Sequence, residues 1–372
     1  MTDKKKVQEL LSLGGIEIDG KNPWDIQVHN EKFYGRVLSG WSLALGESYM
    51  DGWWDVEKLD MFFDNVFKVE LNQKVITPSL VFFVLQARIF NLQSTSRAFK
   101  VGEEHYDIGN DLYTKMLDDR LVYTCGYWSG TPKAQSLDEA QGAKLDLVCR
   151  KLNLQKGQKV LDIGCGWGSF AKFAAERYEV SVVGITVSKE QEKLAKENTK
   201  GLPVEIRLQD YRDLNEQFDH IVSLGMFEHV GYKNYREYMK VVNRSLKDNG
   251  LFLLHTIGSS RSVSSNDPWI DKYIFPGGML PSIKQISKSI EGCFIMEELH
   301  NFGPDYDTTL MEWFKNFNKT WPEFKDQYNE RFYRMWKYYL LISAGTFRSR
   351  KNQLWQIVLS KKGVRGGYQS VR

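Results

Sequence analysis

The chain has 372 residues, of which 42% are hydrophobic and 26% are charged, a balance that is typical of a globular protein. Lysine and arginine total 50 against 47 aspartate and glutamate residues, which leaves a net charge of +3. An obligate nucleic-acid-binding protein would carry a clustered excess of basic residues, so we expect no nucleic-acid partner. The length favours two domains, or one large domain with an appendage.

Residues 1–92 predict a small α-rich N-terminal domain. Its first residues, MTDKKKVQELLSLGG, lack the apolar core of a signal peptide. Its most apolar run, Leu80–Leu85, is closely followed by Arg88 and is far shorter than the ~20 residues needed to span a bilayer. We therefore expect a buried helix there, with a membrane-facing surface as the alternative. Polar residues 91–96 predict a linker.

The four cysteines indicate the compartment and exclude two kinds of site. They form no CxxC pair and have no histidine at zinc-ligand spacing, so we expect neither structural zinc nor a disulfide framework. A reducing cytoplasm fits this usage. The cysteines are Cys125, Cys149, Cys165 and Cys293.

Residues 93–372 predict an α/β catalytic domain, because short apolar runs alternate with amphipathic stretches such as 189–200 and 235–246. The predicted strands are residues 159–162, 180–185, 204–208, 218–223, 250–255, 293–297 and 355–360. Strands that alternate with helices predict a doubly wound parallel sheet, covered by helices on both faces. An insertion at 259–291 precedes the sixth strand, and an aromatic-rich helical stretch at 313–346 precedes the seventh.

A glycine-rich turn follows the first of these strands, in the segment VLDIGCGWG at 160–168. Gly164, Gly166 and Gly168 allow a close backbone approach to a ligand and backbone angles that a Cβ disfavours. In a doubly wound sheet, ligands bind beyond the carboxyl ends of the strands, beside this turn. The spacing is GxGxG rather than the dinucleotide pattern GxGxxG, and Asp162 can accept from a ligand's ammonium group. We therefore favour S-adenosylmethionine over NAD.

Two further strand ends predict cofactor contacts. The second strand closes with Thr186 instead of the acidic residue that usually holds ribose hydroxyls, and Gln191 can take that role. After the third strand, Asp210 can accept from the adenine amino group, and Tyr211 can flank the ring.

The chain resembles the cyclopropane-fatty-acyl-phospholipid synthase family. The motifs that carry the resemblance are GESYMDGWW (46–54), HYDIGNDLY (105–113), YTCGYW (123–128), VLDIGCGWG (160–168), GITVSKEQ (184–191), LQDYRDL (208–214), GMFEHVG (225–231), LLHTIG (253–258), DPWIDKYIFPGG (267–278) and NFGPDYDTTLMEW (301–313). They cover nearly the whole chain, which favours the bacterial phospholipid enzymes over the shorter mycolic acid cyclopropane synthases.

The resemblance implies a helical N-terminal domain, residues 1–92, joined to a seven-stranded methyltransferase domain, residues 93–372. Carried over by position, the family's cofactor contacts fall on Tyr123, Thr124, Gly164, Gly166, Thr186, Gln191, Asp210 and Tyr211. The family also holds a bicarbonate ion in its active site. The ligands of that ion map to Cys125, Glu228, His255, Ile257 and Tyr306, with Cys125 and Ile257 expected to contribute backbone N–H groups.

The implied reaction adds a methylene to the cis double bond of an unsaturated acyl chain. An alkene is a poor nucleophile, and the methyl of a sulfonium ion is a suitable partner for it. Methyl transfer leaves a carbocation, and a proton must then leave the new methyl group before the ring closes. Bicarbonate suits this proton transfer, with donors from His255 and Tyr306 and with Glu228 to orient it or accept its proton. Water must be excluded, or the cation would become an alcohol.

Other interpretations remain open from the sequence. Each residue of the bicarbonate set has a structural alternative, such as a buried apolar role for Cys125 or a hydrogen-bonded structural role for His255. A small-molecule N- or C-methyltransferase is the alternative enzyme, because fold does not fix function. A non-catalytic lipid-binding protein is the alternative outside enzymes, and the intact glycine turn disfavours it.

The expected partners are a phospholipid bilayer and a second copy of the chain. The substrate lies in a membrane, so we expect a cytoplasmic enzyme that docks reversibly on the inner face. Residues 81–89, beside Arg97 and Lys100, predict an interfacial surface for anionic headgroups. The resemblance implies a homodimer, and we expect it to depend on the N-terminal domain.

Overall fold

The computed structural model describes residues 1–71 and 110–372. The described residues form two compact units. The first contains residues 1–71 together with Ser264–Pro276 and Tyr306–Asn352, and the second contains the remainder. The predicted domain boundary at residue 92, the linker at 91–96 and the interfacial surface at 81–89 lie outside the described residues. None of the helices in the described part of the chain is both long and apolar enough to cross a membrane.

The first unit is mainly helical. Its helices are Asp3–Ser12, Lys32–Met50, Leu59–Lys68, Pro268–Tyr273, Pro304–Thr320 and Glu330–Arg348, and its short antiparallel strands are β1 (Gln27–Val28) and β2 (Trp54–Asp55). Large aromatic side chains explain why distant segments join it. Trp269 is fully buried, and its ring centroid lies 4.4 Å from that of Tyr338. A Cβ on Gly46 would lie 2.3 Å from the Trp269 ring, so only glycine permits this packing.

The aromatic-rich stretch at 313–346 is not one continuous helix. The first helix ends at Thr320, and a 3₁₀ turn, Trp321–Glu323, follows it before the second begins at Glu330. Pro322 lacks the backbone N–H that a continuing helix needs, which explains the interruption. The Asn329 side chain then caps the second helix by accepting from the N–H of Phe332 at 2.9 Å.

The second unit is built on the predicted seven-stranded sheet. Its strands are β3 (Lys159–Ile163), β4 (Ser181–Thr186), β5 (Val204–Leu208), β6 (His220–Leu224), β7 (Leu251–Ser259), β8 (Ile295–Asn301) and β9 (Asn352–Ser360). They lie in the order β5-β4-β3-β6-β7-β9-β8. Strands β5, β4, β3, β6 and β7 pair in parallel, whereas β8 and β9 pair antiparallel. The order reverses between β3 and β6, where the rule for open sheets places a ligand.

Helices cover both faces of this sheet, as the alternating pattern predicted. They are Leu137–Lys151, Ser169–Tyr178, Lys189–Asn198, Tyr235–Ser245 and Ile283–Ile290. The second unit also contains the shorter helix Asn110–Met116. Neighbouring residues of β3 point to opposite faces. Val160 packs in one apolar cluster with Phe170, and Leu161 packs in another with Phe252. Apolar side chains therefore pack against both faces of β3.

Candidate active site

The glycine loop, residues 164–168, leaves the carboxyl end of β3. Gly164, Gly166 and Gly168 have φ values of 84°, 54° and 81°, in the left-handed region that favours glycine. The N–H groups of Gly164 and Cys165 both donate to the Ile185 carbonyl, at 2.9 and 3.0 Å, and tie the loop to β4. Among the described residues, no atom outside the adjoining chain lies within 4 Å of the position of a Cβ on Gly166. At Gly166 the backbone of the loop is therefore not covered by any of these residues.

Asp162 lies on β3 just before this loop and is 2% exposed. Its Oδ1 atom has no hydrogen-bond partner among the residues described. Burial raises the pKa of this carboxyl to about 7, and the charge of Lys144 acts in the opposite direction. An unsatisfied buried carboxylate is costly unless a ligand supplies a donor. An ammonium group, such as the one S-adenosylmethionine carries, meets that need, so the site fits this cofactor.

The predicted ribose pair lies at the end of β4. The Thr186 hydroxyl donates to Oε1 of Gln191 at 2.8 Å, and both side chains are buried. The Ser188 side chain caps the helix Lys189–Asn198 by accepting from the Gln191 N–H. This cap fixes the position of the Gln191 backbone. The structure thus brings Thr186 and Gln191 together.

Asp210 and Tyr211 follow β5 and are bound to the protein itself. Both oxygens of Asp210 accept from Arg212, from its backbone N–H at 2.9 Å and from Nη1 at 2.8 Å. The ring of Tyr211 contacts that of Tyr238 at a centroid distance of 5.1 Å, and the Arg212 guanidinium lies 4.7 Å from the Tyr211 centroid. An adenine amino group would share Asp210 with Arg212, and contacts of these two residues with adenine stay a prediction.

The turn after β6 joins the predicted cofactor residues. A Cβ on Gly225 would lie 2.7 Å from Cγ2 of Thr124, and a Cβ on Gly164 would lie 2.7 Å from Cβ of Met226. Gly225 and Met226 therefore lie between Thr124 and the glycine loop. Tyr123, next to Thr124, is partly exposed. These contacts gather three predicted cofactor residues around one turn.

A second polar group lies at the ends of β6 and β7. The Ile257 N–H donates to Oε1 of Glu228 at 2.7 Å, and the Met279 N–H donates to the Glu228 carbonyl at 2.8 Å. Burial raises the pKa of the Glu228 carboxyl to about 7, and the Ile257 hydrogen bond opposes this shift. Oε2 of Glu228 has no hydrogen-bond partner in residues 1–71 and 110–372. The Ile257 N–H thus holds Oε1 of the carboxyl, and an anion would share that N–H with it.

His255 lies two residues before Ile257 on β7 and is 1% exposed. Its Nδ1 atom is 3.4 Å from Nε2 of Gln356, and its Nε2 atom has no hydrogen-bond partner within the described part of the chain. Burial holds the pKa of His255 well below its usual range, and the charges of Lys144, Lys151 and His300 add to the effect. The imidazole is therefore neutral at pH 7, with one nitrogen available to a ligand.

The other two members of the predicted bicarbonate set have separate surroundings. Cys125 is fully buried in the second unit, and its thiol donates to the Gly126 carbonyl at 3.0 Å. Tyr306 belongs to the first unit, where its ring centroid lies 4.6 Å from that of Phe347 and 5.9 Å from that of Trp313. Within the second unit, two members of this set, Glu228 and Ile257, are in direct hydrogen-bond contact.

The comparisons with known proteins show the family of the chain. Residues 93–357 match the mycolic acid cyclopropane synthetase family. The cyclopropane-fatty-acyl-phospholipid synthase of Escherichia coli strain K12 is 56% identical over 365 residues, which cover 98% of this chain and 94% of that protein.

The chain belongs to the mycolic acid cyclopropane synthetase family.

Solved structures of cyclopropane synthases share its fold. The cyclopropane synthase MmaA2 from Mycobacterium tuberculosis is 30% identical, with a TM-score of 0.66, and covers 71% of this chain and 98% of its own. The mycolic acid cyclopropane synthase CmaA1, in complex with SAH (S-adenosylhomocysteine) and CTAB, is 31% identical with the same TM-score and coverage. This cyclopropane synthetase homologue is an S-adenosylmethionine-dependent methyltransferase.

The synthetase fold also buries polar residues that the motifs did not reveal. Asp118, Gln141 and Lys144 surround the segment 122–125, and each is at most 3% exposed. A signal was present in the helix Leu137–Lys151, because Gln141 and Lys144 occupy the same helical face as Leu137, Leu145 and Val148. A lysine on the apolar face of a helix is uncommon, because a lysine is rarely buried without a partner, and it indicates a specific role.

Proposed function

We propose that this chain is a cyclopropane-fatty-acyl-phospholipid synthase, which adds a methylene from S-adenosylmethionine to the cis double bond of unsaturated acyl chains in membrane phospholipids. The Escherichia coli relative that bears this name is 56% identical over 98% of the chain, which supports a shared substrate class. The observation that carries the proposal is a pair of buried polar atoms, Oε2 of Glu228 and Nε2 of His255, that have no hydrogen-bond partner among the described residues.

These two atoms fit a small ion that both donates and accepts. A protonated oxygen can donate to Oε2 of Glu228, and an anionic oxygen can accept from an N–H at Nε2 of His255. Bicarbonate has both kinds of oxygen. Two buried lysines, Lys144 and Lys151, act electrostatically on His255 and favour a negative charge beside it. Glu228 and His255 would therefore hold bicarbonate, which supplies a weak and compact base.

The residues of the chain provide what methylene transfer requires. Bound S-adenosylmethionine supplies a methyl group on a positively charged sulfur, which an alkene can attack. The glycine loop and Asp162 bind the cofactor with backbone groups and a carboxylate. Glu228, with a pKa of about 7, can take up and release a proton near neutral pH.

The test is mass spectrometry of lipids from cells that express the chain. We expect unsaturated phospholipids to gain one CH₂, with loss of the double bond. Purified enzyme should lose activity in carbonate-free buffer and recover it when bicarbonate is restored. Glu228→Gln should abolish the gain while SAH still binds. Methylated amines without any modified lipid would support a small-molecule methyltransferase and exclude the proposal.

We also propose that the enzyme docks reversibly on the inner face of the cytoplasmic membrane and forms a homodimer. A phospholipid substrate requires contact with a bilayer, which is the support for docking. Flotation with vesicles rich in anionic lipid should show binding that weakens at high salt, because screening reduces attraction between charges at a surface. Sedimentation of the full chain tests the dimer, and a monomer at micromolar concentration would exclude it.

A further inference from the structure

Lys144 is a buried cation beside the predicted cofactor residues. It lies on the helix Leu137–Lys151 and is 0% exposed. Its Nζ atom donates to Oγ1 of Thr124 at 2.8 Å. Burying an ammonium group is costly unless its surroundings offset the charge. The groups around Nζ therefore show what the lysine does.

The protein compensates this charge incompletely. No carboxylate of the described residues lies within ion-pair distance of Nζ; Asp118 and Asp162 act on it only from further away, as does the Cys125 thiol. Burial lowers the pKa of Lys144 to about 8, so the group is mostly charged at pH 7. The charged Nζ of Lys144 lies beside Thr124, and an anionic group bound there would add to the compensation of its charge.

The direction of the hydrogen bond shows which group of Thr124 faces the ligand. An ammonium has three donors and no acceptor, so Oγ1 of Thr124 must accept from Lys144. The hydroxyl hydrogen of Thr124 then points away from Lys144. Thr124 is partly exposed and contacts Gly225, at the turn that links it to the glycine loop. Its hydroxyl is thus placed to donate to an acceptor in the cofactor pocket.

We infer that Lys144 is a positioning residue for the cofactor, and that it fixes the Thr124 hydroxyl as a donor to the carboxylate of S-adenosylmethionine. The methionyl part of the cofactor has one anionic group, the carboxylate, and one ammonium group. Thr124, backed by Lys144, matches the carboxylate, and the unsatisfied Oδ1 of Asp162 matches the ammonium. The inference rests on binding of this cofactor in the pocket and does not depend on the lipid reaction.

The experiment measures binding, not turnover. Isothermal titration of the full-length protein would compare S-adenosylmethionine with decarboxylated S-adenosylmethionine, which lacks only the carboxylate. We expect Lys144→Met to weaken binding of the first ligand at least tenfold and of the second less than twofold. Lys151→Met is the matched control, because Lys151 lies on the same helix, is also 0% exposed and pairs with Glu298 at 3.2 Å. It should leave the preference between the two ligands unchanged.

Thr124→Val makes the test independent of whether Lys144→Met folds. It removes the hydroxyl at a partly exposed position and should erase the same preference, whereas Thr124→Ser should keep it. The double variant should be no worse than either single variant, since both act through one hydroxyl. Equal weakening of both ligands by Lys144→Met, or an unchanged preference in Thr124→Val, would overturn the inference. Wild-type protein that binds the cofactor but makes no cyclopropane lipid would instead overturn the proposed function alone.

Discussion

Two segments of the proposed cofactor site obtain their shape in different ways. The glycine loop is shaped by its own backbone, with three residues at positive φ and two N–H groups bonded to Ile185. The segment 122–125 is shaped by side chains from elsewhere. Gln141 donates to the Thr124 carbonyl at 2.7 Å, and Asp118 accepts from the Val122 N–H at 2.8 Å. A substitution in the glycine loop should therefore change ligand binding directly. A substitution in a side chain that supports 122–125 should change ligand binding only by moving that segment.

Gly164→Ala should have the largest effect. A Cβ there would meet Met226 at 2.7 Å, and φ of 84° is unfavourable for alanine. We expect SAH affinity, measured by titration calorimetry, to fall at least 100-fold, which corresponds to about 2.7 kcal/mol. Gly157→Ala is the matched control, because its φ is 83° but none of the residues that the structure describes lies within 4 Å of the new Cβ. Similar losses in both variants would show that backbone strain, not the pocket, sets the affinity.

Asp118→Asn should change how stability depends on pH. Burial raises the pKa of this carboxyl from 3.8 to about 6, so its protonated form favours the folded state. That contribution is complete below pH 3.8 and is lost as pH rises through about 6, whereas asparagine does not titrate. Between pH 4 and pH 8, denaturant titrations should show wild type losing roughly 2 kcal/mol relative to the variant. Parallel stability curves would contradict the assignment.

Gln141→Leu tests the support that Gln141 gives to the segment 122–125. The substitution keeps a side chain of similar volume but leaves the Thr124 carbonyl without its donor. We expect SAH affinity to fall about tenfold, or 1.4 kcal/mol, because Thr124 moves. Gln217→Leu is the control, since Gln217 also donates to a backbone carbonyl, that of Arg244 at 3.3 Å, but at an exposed position. If the control lost as much affinity, the effect would not be specific to 122–125.

Ser136→Ala should have the smallest effect. Ser136 caps the helix Leu137–Lys151 by accepting from the Glu139 N–H at 3.2 Å. Loss of the cap should lower the free energy of unfolding by about 1 kcal/mol, as measured by thermal or denaturant unfolding. SAH affinity should stay within twofold, because Gln141 and Lys144 lie beyond the first turn. A larger change in affinity would mean that the whole helix end, rather than those two side chains, holds 122–125.

The contrast between these segments also separates what the sequence determined from what it could not. The alternation of apolar runs with amphipathic stretches was sufficient to predict the seven strands and the helices on both faces of the sheet. The reason is that the spacing of buried residues within one helix or strand can be recognised from neighbouring positions in the sequence. The glycine loop was readable for the same reason, since positive φ at Gly164, Gly166 and Gly168 is a preference of single residues. The chain-order motifs then supplied the family, which the comparisons confirm.

Tertiary structure decided the rest. Pro322 divides the predicted helical stretch at 313–346 into two helices. Trp269 joins the first unit although more than 200 residues separate it from Met50, to which its Nε1 donates. Lys144 carries no motif of its own. Its role depends on which helical face meets Thr124, 20 residues away, and on how little compensating charge lies nearby. Such contacts arise only when distant segments are packed together. The conformational preferences of the sequence therefore determined the strands and the glycine loop, and tertiary packing determined which charged groups lie near each other.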